Sequence, residues 1–244
     1  MLMLSRLHPG PLEEVPAAEA YAYPAGGPYL RANMVTSVDG AAALDGRVGA
    51  LTGPADQQLL LTLRSLCDVL IVGAATVRAE GYGPVRVLPE LTRARQEAGQ
   101  LPAPRLAVLS RTIDVDLQSR AFTHAVQRPL ILTTSRAERG RVRAAEQVAD
   151  VLVSGADAVD LRAAVSQLAG LGLNRMLTEG GPSVLAGLYA HDVVDELCLA
   201  VSPLVACGGF TRVTAGPALS DPQPVELAGV LERDGFLFLR YTRG

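Results

Sequence analysis

The alternation of apolar and polar positions along the chain predicts a sheet of parallel strands. Short, continuous apolar runs recur, each with the length of a strand that is buried on both faces. These runs lie at 68–73, 105–109, 130–133, 151–153 and 175–177. A helical pattern at 54–66 precedes the first of them, and further helical patterns lie between several of them, at 137–148 and 159–170. Strands that alternate with helices in this way are typical of parallel βαβ units.

The end of the chain shows strand patterns with no helix between them. Strands are predicted at 196–201, 225–231 and 236–241, with Asp234-Gly235 as a hairpin turn between the last two. The sequence therefore predicts an α/β fold with a mostly parallel central sheet, flanking helices and antiparallel C-terminal strands.

The domain organisation is predicted from where periodic structure begins. Residues 1–28 are rich in Pro, Ala and Gly and show no clear period, so we expect an arm that wraps the domain or packs on a partner. A first strand is predicted at 29–35, and residues 29–244 are expected to form a single domain. The polar stretch 89–104 is expected to be an excursion between elements.

Composition narrows the functions that are open to this chain. Of its 244 residues 49% are apolar, the net charge is −3, and no basic block argues for nucleic acid as a partner. All 22 cationic side chains are Arg, which excludes a catalytic Schiff-base lysine. The three cysteines are scattered, no apolar run has membrane length, and no signal-peptide pattern is present. We therefore expect a cytoplasmic protein with no membrane partner.

The strongest candidate for ligand binding is the segment Thr178-Glu179-Gly180-Gly181-Pro182-Ser183-Val184. A predicted strand ends there, two glycines allow a ligand close to the backbone, and Pro and Ser open a helix. The N–H groups at a helix N-terminus favour a phosphate. Glu179 is acidic beside an anion site, so contact with a neighbouring substrate group explains it better. An ordinary strand-to-helix turn remains the alternative.

A second candidate follows the apolar run 68–73, at the strand edge where open α/β folds bind ligands. Gly73 allows a tight exit from the strand, and the hydroxyl of Thr76 is suited to a ribose or a phosphate. Arg78 and Glu80 come next, and a solvated loop with a weak surface pair is an equally good interpretation of them.

The first strand and the turn after it also carry polar residues. Asn33 and Ser37 are four residues apart and share one face of a regular strand, and buried polar residues must be satisfied or functional. Asp39 follows in a turn-prone segment, for which a plain turn is the alternative.

Two further strand ends are equal candidates for the 2′-phosphate of NADP. Ser110-Arg111-Thr112 follows one predicted strand, and Thr133-Thr134-Ser135-Arg136 lies at the end of the next. A plain loop is the alternative for each.

Several common catalytic patterns are missing from the sequence. There is no G-x-G-x-x-G, no Walker A and no G-x-S-x-G segment. His8, His124 and His191 are far apart and none belongs to a metal-spaced pair. We therefore expect no metal and no nucleophilic hydrolysis.

Taken together, these segments resemble the reductase family of riboflavin biosynthesis, which also forms the C-terminal half of a bifunctional deaminase–reductase. The resemblance covers roughly residues 29–241, and its most specific mark is the run from Thr178 to Pro182 followed by a helix. The other matching pieces are residues 33–40, Thr52-Gly53-Pro54, Arg64 and residues 72–78. The chain looks closer still to a stand-alone pyrimidine reductase subgroup, some members of which act on dihydrofolate.

The resemblance implies a dihydrofolate-reductase-like fold, NADPH as the cofactor and a homodimer. It also implies reduction of 5-amino-6-(5-phosphoribosylamino)uracil to the ribitylamino product. The implied cofactor-binding residues are Thr52, Gly73, Thr76, Glu80, Ser110, Gly180, Gly181, Pro182, Ser183 and Val184. The implied substrate-binding residues are Asn33, Ser37, Arg64, Arg86 and Glu179, with the two arginines on the phosphate.

The sequence departs from the family at two of these positions. Glu80 stands where Asp is more common. Asn33 stands where the bifunctional enzymes have Lys, although Asn occurs there in stand-alone reductases.

The cofactor would carry the hydride, so the protein must orient the substrate and deliver a proton to the opened ring oxygen. Glu179 and Asp39 are the predicted catalytic residues, and a water relay is the alternative. Two other functions stay open: a dihydrofolate or other pteridine reductase on the same scaffold, and a non-catalytic nucleotide-binding protein.

Overall fold

The computed structural model of the chain describes residues 1–44 and 46–244. Its strands are β1 (Met3–His8), β2 (Glu13–Pro16), β3 (Tyr29–Ser37), β4 (Val69–Gly73), β5 (Arg105–Leu109), β6 (Leu130–Thr133), β7 (Asp150–Val153), β8 (Arg175–Thr178), β9 (Glu196–Ser202), β10 (Val225–Arg233) and β11 (Phe236–Arg243). Its α-helices are α1 (Ala17–Ala20), α2 (Pro54–Leu66), α3 (Ala74–Glu80), α4 (Thr92–Glu97), α5 (Arg120–Thr123), α6 (Arg139–Glu146), α7 (Leu161–Gly170) and α8 (Pro182–Ala190).

All of these strands join one sheet in the order β2-β1-β10-β11-β9-β3-β8-β4-β5-β6-β7. From β9 to β7 every neighbouring pair is parallel. The pairs from β2 to β9 are antiparallel. The predicted fold class, a mostly parallel central sheet with flanking helices and antiparallel C-terminal strands, is confirmed. Since β3, β8 and β4 are neighbours, their carboxyl ends meet at one edge of the sheet.

The core lies on both faces of the parallel strands. In β4 all five residues are buried, and alternate residues belong to two separate apolar clusters. Leu59 and Leu63 of α2 pack into one cluster, whereas Leu168 of α7 and Leu185 of α8 pack into the other. Burial on both faces explains why these strands are continuous apolar runs rather than alternating ones.

The first 28 residues contribute two strands to the same sheet and form a short helix. β1 pairs with β10, and β2 covers the outer edge of β1. Val15 and Tyr21 are buried in the core. This segment therefore packs on the domain itself. β1 depends on long-range pairing with β10, and β2 depends on β1, so the local sequence shows no clear strand period here.

The stretch 89–104, expected to be an excursion, contains the short helix α4. Arg95 of this helix is only 2% exposed, and it donates hydrogen bonds to the carbonyls of Ser65, Cys67 and Leu101. Because a buried cation needs such acceptors, Arg95 fixes this segment against the end of α2. Six residues are too few to show a helical period.

A buried ionic network ties the antiparallel and parallel parts of the sheet together. Glu196 is fully buried at the start of β9 and accepts hydrogen bonds from Nε of Arg31 at 2.8 Å and Nε of Arg240 at 2.7 Å. The hydroxyl of Tyr29 donates to the same carboxylate at 3.1 Å. Arg31 also donates to the backbone carbonyl of Tyr21, so the network reaches the N-terminal segment.

Candidate functional site

A cleft of about 380 Å³ opens at the carboxyl edge of β3, β4 and β8. Its wall includes Asn33 of β3, Asp56 and Arg64 of α2, Thr76 of α3, and Glu179 after β8. Polar side chains from four separate parts of the chain therefore converge on one concave surface, as is typical of small-molecule sites.

The two predicted glycine segments pack directly against each other at the edge of this cleft. The N–H of Gly73 donates to the carbonyl of Gly180 at 2.8 Å, and the N–H of Gly181 donates to Oγ1 of Thr76 at 2.9 Å. A Cβ on Gly73 would lie 2.8 Å from Val184, and one on Gly181 would lie 2.7 Å from the Thr76 hydroxyl. Glycine is thus required at both positions for this contact between loops.

Helix α8 begins where the sequence places it, with Gly181 as N-cap and Pro182 as the first residue. No side chain caps the helix, so the N–H groups of Ser183 and Val184 have no partner within it. A helix start of this kind favours an anion. Residues 180–184 lie behind Thr76 and Glu179 and are not themselves part of the cleft wall.

Glu179 and Arg64 form a bidentate pair on the cleft wall. Nε and Nη2 of Arg64 each donate to one carboxylate oxygen of Glu179 at 2.6 Å, and the Tyr82 hydroxyl donates to Oε2. The Arg64 guanidinium also lies over the Tyr82 ring, 5.2 Å from its centroid. Only 7% of the Glu179 side chain is exposed. Paired in this way, Glu179 presents its oxygens as hydrogen-bond acceptors in a fixed orientation.

The structure brings several other predicted residues into the cleft. Asn33, Thr52 and Glu80 all lie on its wall. Thr52 accepts a hydrogen bond from the Gln57 side chain, and Glu80 accepts one from the N–H of Val48.

Arg86, unlike Asn33, Thr52 and Glu80, does not lie on the cleft wall. It is exposed beyond the segment 81–84 that borders the cleft. Contact between Arg86 and a ligand in the cleft therefore requires its long side chain to turn inwards.

Ser37 and Asp39 lie outside the cleft wall, where they stabilise a turn and a loop. Oγ of Ser37 donates to Asp39 and accepts from the N–H of Ala41. The Asp39 carboxylate accepts from the N–H groups of Ala206 and Cys207. These backbone bonds, together with the Ser37 hydroxyl, lower the pKa of Asp39 to about 2. A carboxylate held in this way favours its charged form, so the structure gives Asp39 and Ser37 a role in the loop, and the catalytic role expected of Asp39 and the ligand contact expected of Ser37 stay predictions.

The two strand ends predicted as alternatives for a 2′-phosphate site lie next to each other. The hydroxyls of Thr133 and Thr134 both donate to the backbone carbonyl of Arg111, because β5 and β6 are neighbours. Ser110 is buried and its Oγ accepts from the N–H of Asp114. Arg136 forms an ion pair with Asp157.

Two ionisable residues of the cleft wall, Tyr82 and Asp56, were not predicted from the sequence. Tyr82 donates a hydrogen bond to Glu179. Asp56 lies in the first turn of α2, and its side chain lines the cleft together with that of Arg64. Asp56 is 5% exposed, and burial followed by the negative charge of Glu179 raises its pKa to about 6. An acidic residue in a first helical turn normally indicates only favourable interaction with the helix dipole, which hides this second possibility in the sequence.

Neither a membrane span nor a metal centre is found in the part of the chain that the structure describes. No helix there is long and apolar enough to cross a bilayer. The same residues contain no cluster of His, Cys, Asp and Glu arranged to hold a metal ion.

The sheet topology and the cleft at its carboxyl edge define an α/β domain with a concave, polar-lined cleft where its parallel strands end. More narrowly, the chain belongs to the RibD C-terminal domain family, whose model matches residues 28–232. The predicted family is thereby confirmed.

Relatives and solved structures agree with this assignment. The chain is 29% identical over 182 residues to the 2,5-diamino-6-ribosylamino-4(3H)-pyrimidinone 5′-phosphate reductase of Archaeoglobus fulgidus, covering 74% of this chain and 83% of the relative. A pyrimidine reductase-like protein of Corynebacterium diphtheriae superposes with a TM-score of 0.83 at 28% identity, over 93% of this chain and 98% of that one. The riboflavin biosynthesis reductase Rib7 of Saccharomyces cerevisiae shares the fold, with a TM-score of 0.61 at 18% identity over 93% and 95% of the chains.

Proposed function

We propose that this protein is an NADPH-dependent reductase of riboflavin biosynthesis. Its substrate would be a ribosylaminopyrimidine 5′-phosphate, whose ribosyl group it reduces to a ribityl chain. The observation that carries the proposal is that the residues expected at the cofactor and those expected at the substrate line one cleft. Thr76, which binds the glycine loop, and the Glu179–Arg64 pair line the same wall.

Reduction of a ribosylamine adds a hydride to C1′, breaks the C1′–O4′ bond and adds a proton to O4′. A bound nicotinamide cofactor supplies the hydride. Glu179 keeps acceptor capacity beyond its bonds to Arg64 and Tyr82, because a carboxylate offers about four lone-pair sites. It is suited to fix the N–H or hydroxyl groups of the substrate, and such orientation contributes up to about 7–11 kcal/mol in favourable cases.

The residues that would hold the cofactor fit a dinucleotide. Gly181, Ser183 and Val184 offer a helix start for the pyrophosphate. Ser110 and Arg111 would hold the 2′-phosphate, since Arg111 is exposed while Arg136 is already paired with an acid. Replacing Arg111 by Ala should raise KM for NADPH and leave KM for NADH unchanged. Equal effects on both cofactors would remove this assignment.

The identity of the pyrimidine is tested by two substrates that differ at one exocyclic group. The sequence resemblance implies the uracil, whereas the relatives in Archaeoglobus fulgidus and Methanothermobacter thermautotrophicus are named for the 2,5-diaminopyrimidinone. NADPH oxidation should be measured with both pyrimidines and with dihydrofolate in parallel. Turnover of at least one pyrimidine supports the proposal. Turnover of dihydrofolate alone, or of none of the three, refutes it.

The phosphate contacts are tested with Arg64→Ala and Arg86→Ala. A charge-assisted hydrogen bond contributes about 1.5–3 kcal/mol, so each variant should raise KM by about 10- to 100-fold. Arg64→Ala should also lower kcat, because Glu179 loses its bidentate partner. The control is the same substrate without its phosphate, for which Arg86→Ala should have no effect. An unchanged KM in both variants contradicts the role of these arginines.

We also propose a cytoplasmic homodimer. Leu204 and Val205, which follow β9, are exposed apolar side chains, at 43% and 69%. Light scattering coupled to size exclusion distinguishes a dimer from a monomer, and a monomeric mass at micromolar concentration would refute this part of the proposal.

A further inference from the structure

Asp56 is a carboxyl group on the cleft wall that the proposed function leaves without a role. We propose that Asp56 is the general acid that protonates O4′ of the ribosylamine, an inference that rests on the proposed function. The assignment concerns which residue of this chain delivers the proton, a question that family membership does not answer.

The position of Asp56 is suited to contact with a bound substrate. It lies in the first turn of α2, two turns before Arg64, and both side chains line the cleft. Asp56 is 5% exposed, and burial and the charge of Glu179 are the causes that shift its pKa, with no hydrogen bond among them. A nearly buried carboxyl group on the wall of a cleft is placed to form a hydrogen bond with a ligand that enters it.

The charges around Asp56 favour its protonated form. Glu179 faces it from the loop after β8, Arg64 from its own helix, Glu80 from the end of α3, and Tyr82 from the segment that follows. Burial is the first cause that raises the pKa of Asp56, and the charge of Glu179 is the second. Together they raise this pKa to about 6, which is close to the value that suits a general acid at neutral pH.

The other acids of the cleft are committed to other partners. Both oxygens of Glu179 accept hydrogen bonds from Arg64, and one also accepts from Tyr82. Glu80 accepts from the N–H of Val48. Asp56 is therefore the acid of this wall whose proton is free to be transferred.

The Asp56 proton moves to O4′ as the C1′–O4′ bond breaks, and its electron pair stays on O4′ as the hydroxyl of the opened chain. C1′ takes the hydride from the reduced nicotinamide cofactor. Asp56 is left as a carboxylate and recovers a proton from solvent at the open side of the cleft.

The first test needs no turnover. Carboxyl ¹³C NMR titration of the free protein should show a group with a pKa of about 6 that is missing in Asp56→Asn. In Glu179→Gln this pKa should fall, because a negative neighbour is gone. Glu97→Gln, an exposed carboxylate of α4, is the control and should change nothing. If the signal that Asp56→Asn removes titrates below about 4.5, in the range of an ordinary Asp, the proposal is overturned.

The second test is the pH dependence of kcat with the active pyrimidine. In the wild type kcat should fall as the pH rises above the pKa of Asp56 in the complex. Asp56→Asn should lose about 100- to 10,000-fold in kcat and should lose this alkaline limb, with little change in KM. Asp56→Glu should restore the limb in part.

The outcomes separate the two proposals. An active wild type with an Asp56→Asn variant that keeps both kcat and the limb overturns the role of Asp56 and leaves the proposed function intact. A wild type that oxidises NADPH with neither pyrimidine removes the proposed function, and this inference with it.

Discussion

The environment of Asp56 makes a prediction about stability that does not depend on catalysis. The pKa of Asp56 rises from its ordinary 3.8 to about 6 in the folded protein. The folded state therefore holds this proton more tightly than the unfolded chain does. Below the unfolded pKa both states are protonated and Asp56 has no effect. As the pH rises through the interval between the two values, the unfolded chain ionises first, so the native state is progressively destabilised.

The size of the effect follows from the two values. A difference of this size corresponds to about 3 kcal/mol above neutral pH. Asp56→Asn removes this destabilisation and also removes a first-turn carboxylate, which stabilises α2 by about 0.3–1 kcal/mol. We therefore expect Asp56→Asn to stabilise the protein by about 2 kcal/mol at alkaline pH. For a chain of this length that is about 4–8 °C in Tm.

Thermal and urea unfolding at about pH 4.5 and about pH 8 measure this difference. The free energy of unfolding of Asp56→Asn should clearly exceed that of the wild type at the higher pH. At the lower pH the difference should be much smaller. Glu97→Gln, again the control, should stay within about 0.5 kcal/mol at both. If Asp56→Asn is less stable than the wild type at about pH 8, or differs equally at both pH values, the carboxyl is not held in an unfavourable charged state and the reasoning fails.

Two further predictions concern contacts that do not involve Asp56 or Glu179. Glu196→Gln should destabilise the protein by about 3–5 kcal/mol in urea unfolding, because Arg31 and Arg240 lose their buried counter-charge; a loss below about 1 kcal/mol would contradict this. Gly181→Ala should weaken NADPH binding, since its Cβ would lie 2.7 Å from the Thr76 hydroxyl, and Thr76→Ala in the same chain should relieve part of the loss in a titration. Additive losses would refute the steric reason.

The strands of the parallel sheet could be predicted because burial on both faces leaves a mark in the sequence. The runs at 105–109 and 130–133 have the bounds of β5 and β6, and the helix predicted from Pro54 to Leu66 is α2. The N-terminal strands β1 and β2 could not be predicted in the same way. β1 pairs with β10, a partner more than 200 residues away that leaves no local period in the sequence, and β2 in turn pairs with β1.

Site residues could be predicted where the backbone conformation requires a particular residue type, and could not be predicted where a polar side chain can serve either a ligand or the fold. Gly180, Gly181 and Pro182 predict a strand-to-helix turn, and the structure has that turn. Ser37 and Asp39 place polar side chains at a strand end, but the sequence does not show whether these side chains contact a ligand or the loop at Ala206. The backbone N–H groups that bind Asp39 come from a segment more than 160 residues away.

Glu179 connects the two sides of the cleft. Arg64 and Tyr82 donate hydrogen bonds to its carboxylate, and its charge is the second cause, after burial, that raises the pKa of Asp56. Arg64 contacts Glu179 and is not itself a cause of the raised pKa of Asp56. Arg64→Ala should therefore change the Asp56 titration less than Glu179→Gln does. That ordering places the control of Asp56 on the glutamate rather than on the arginine.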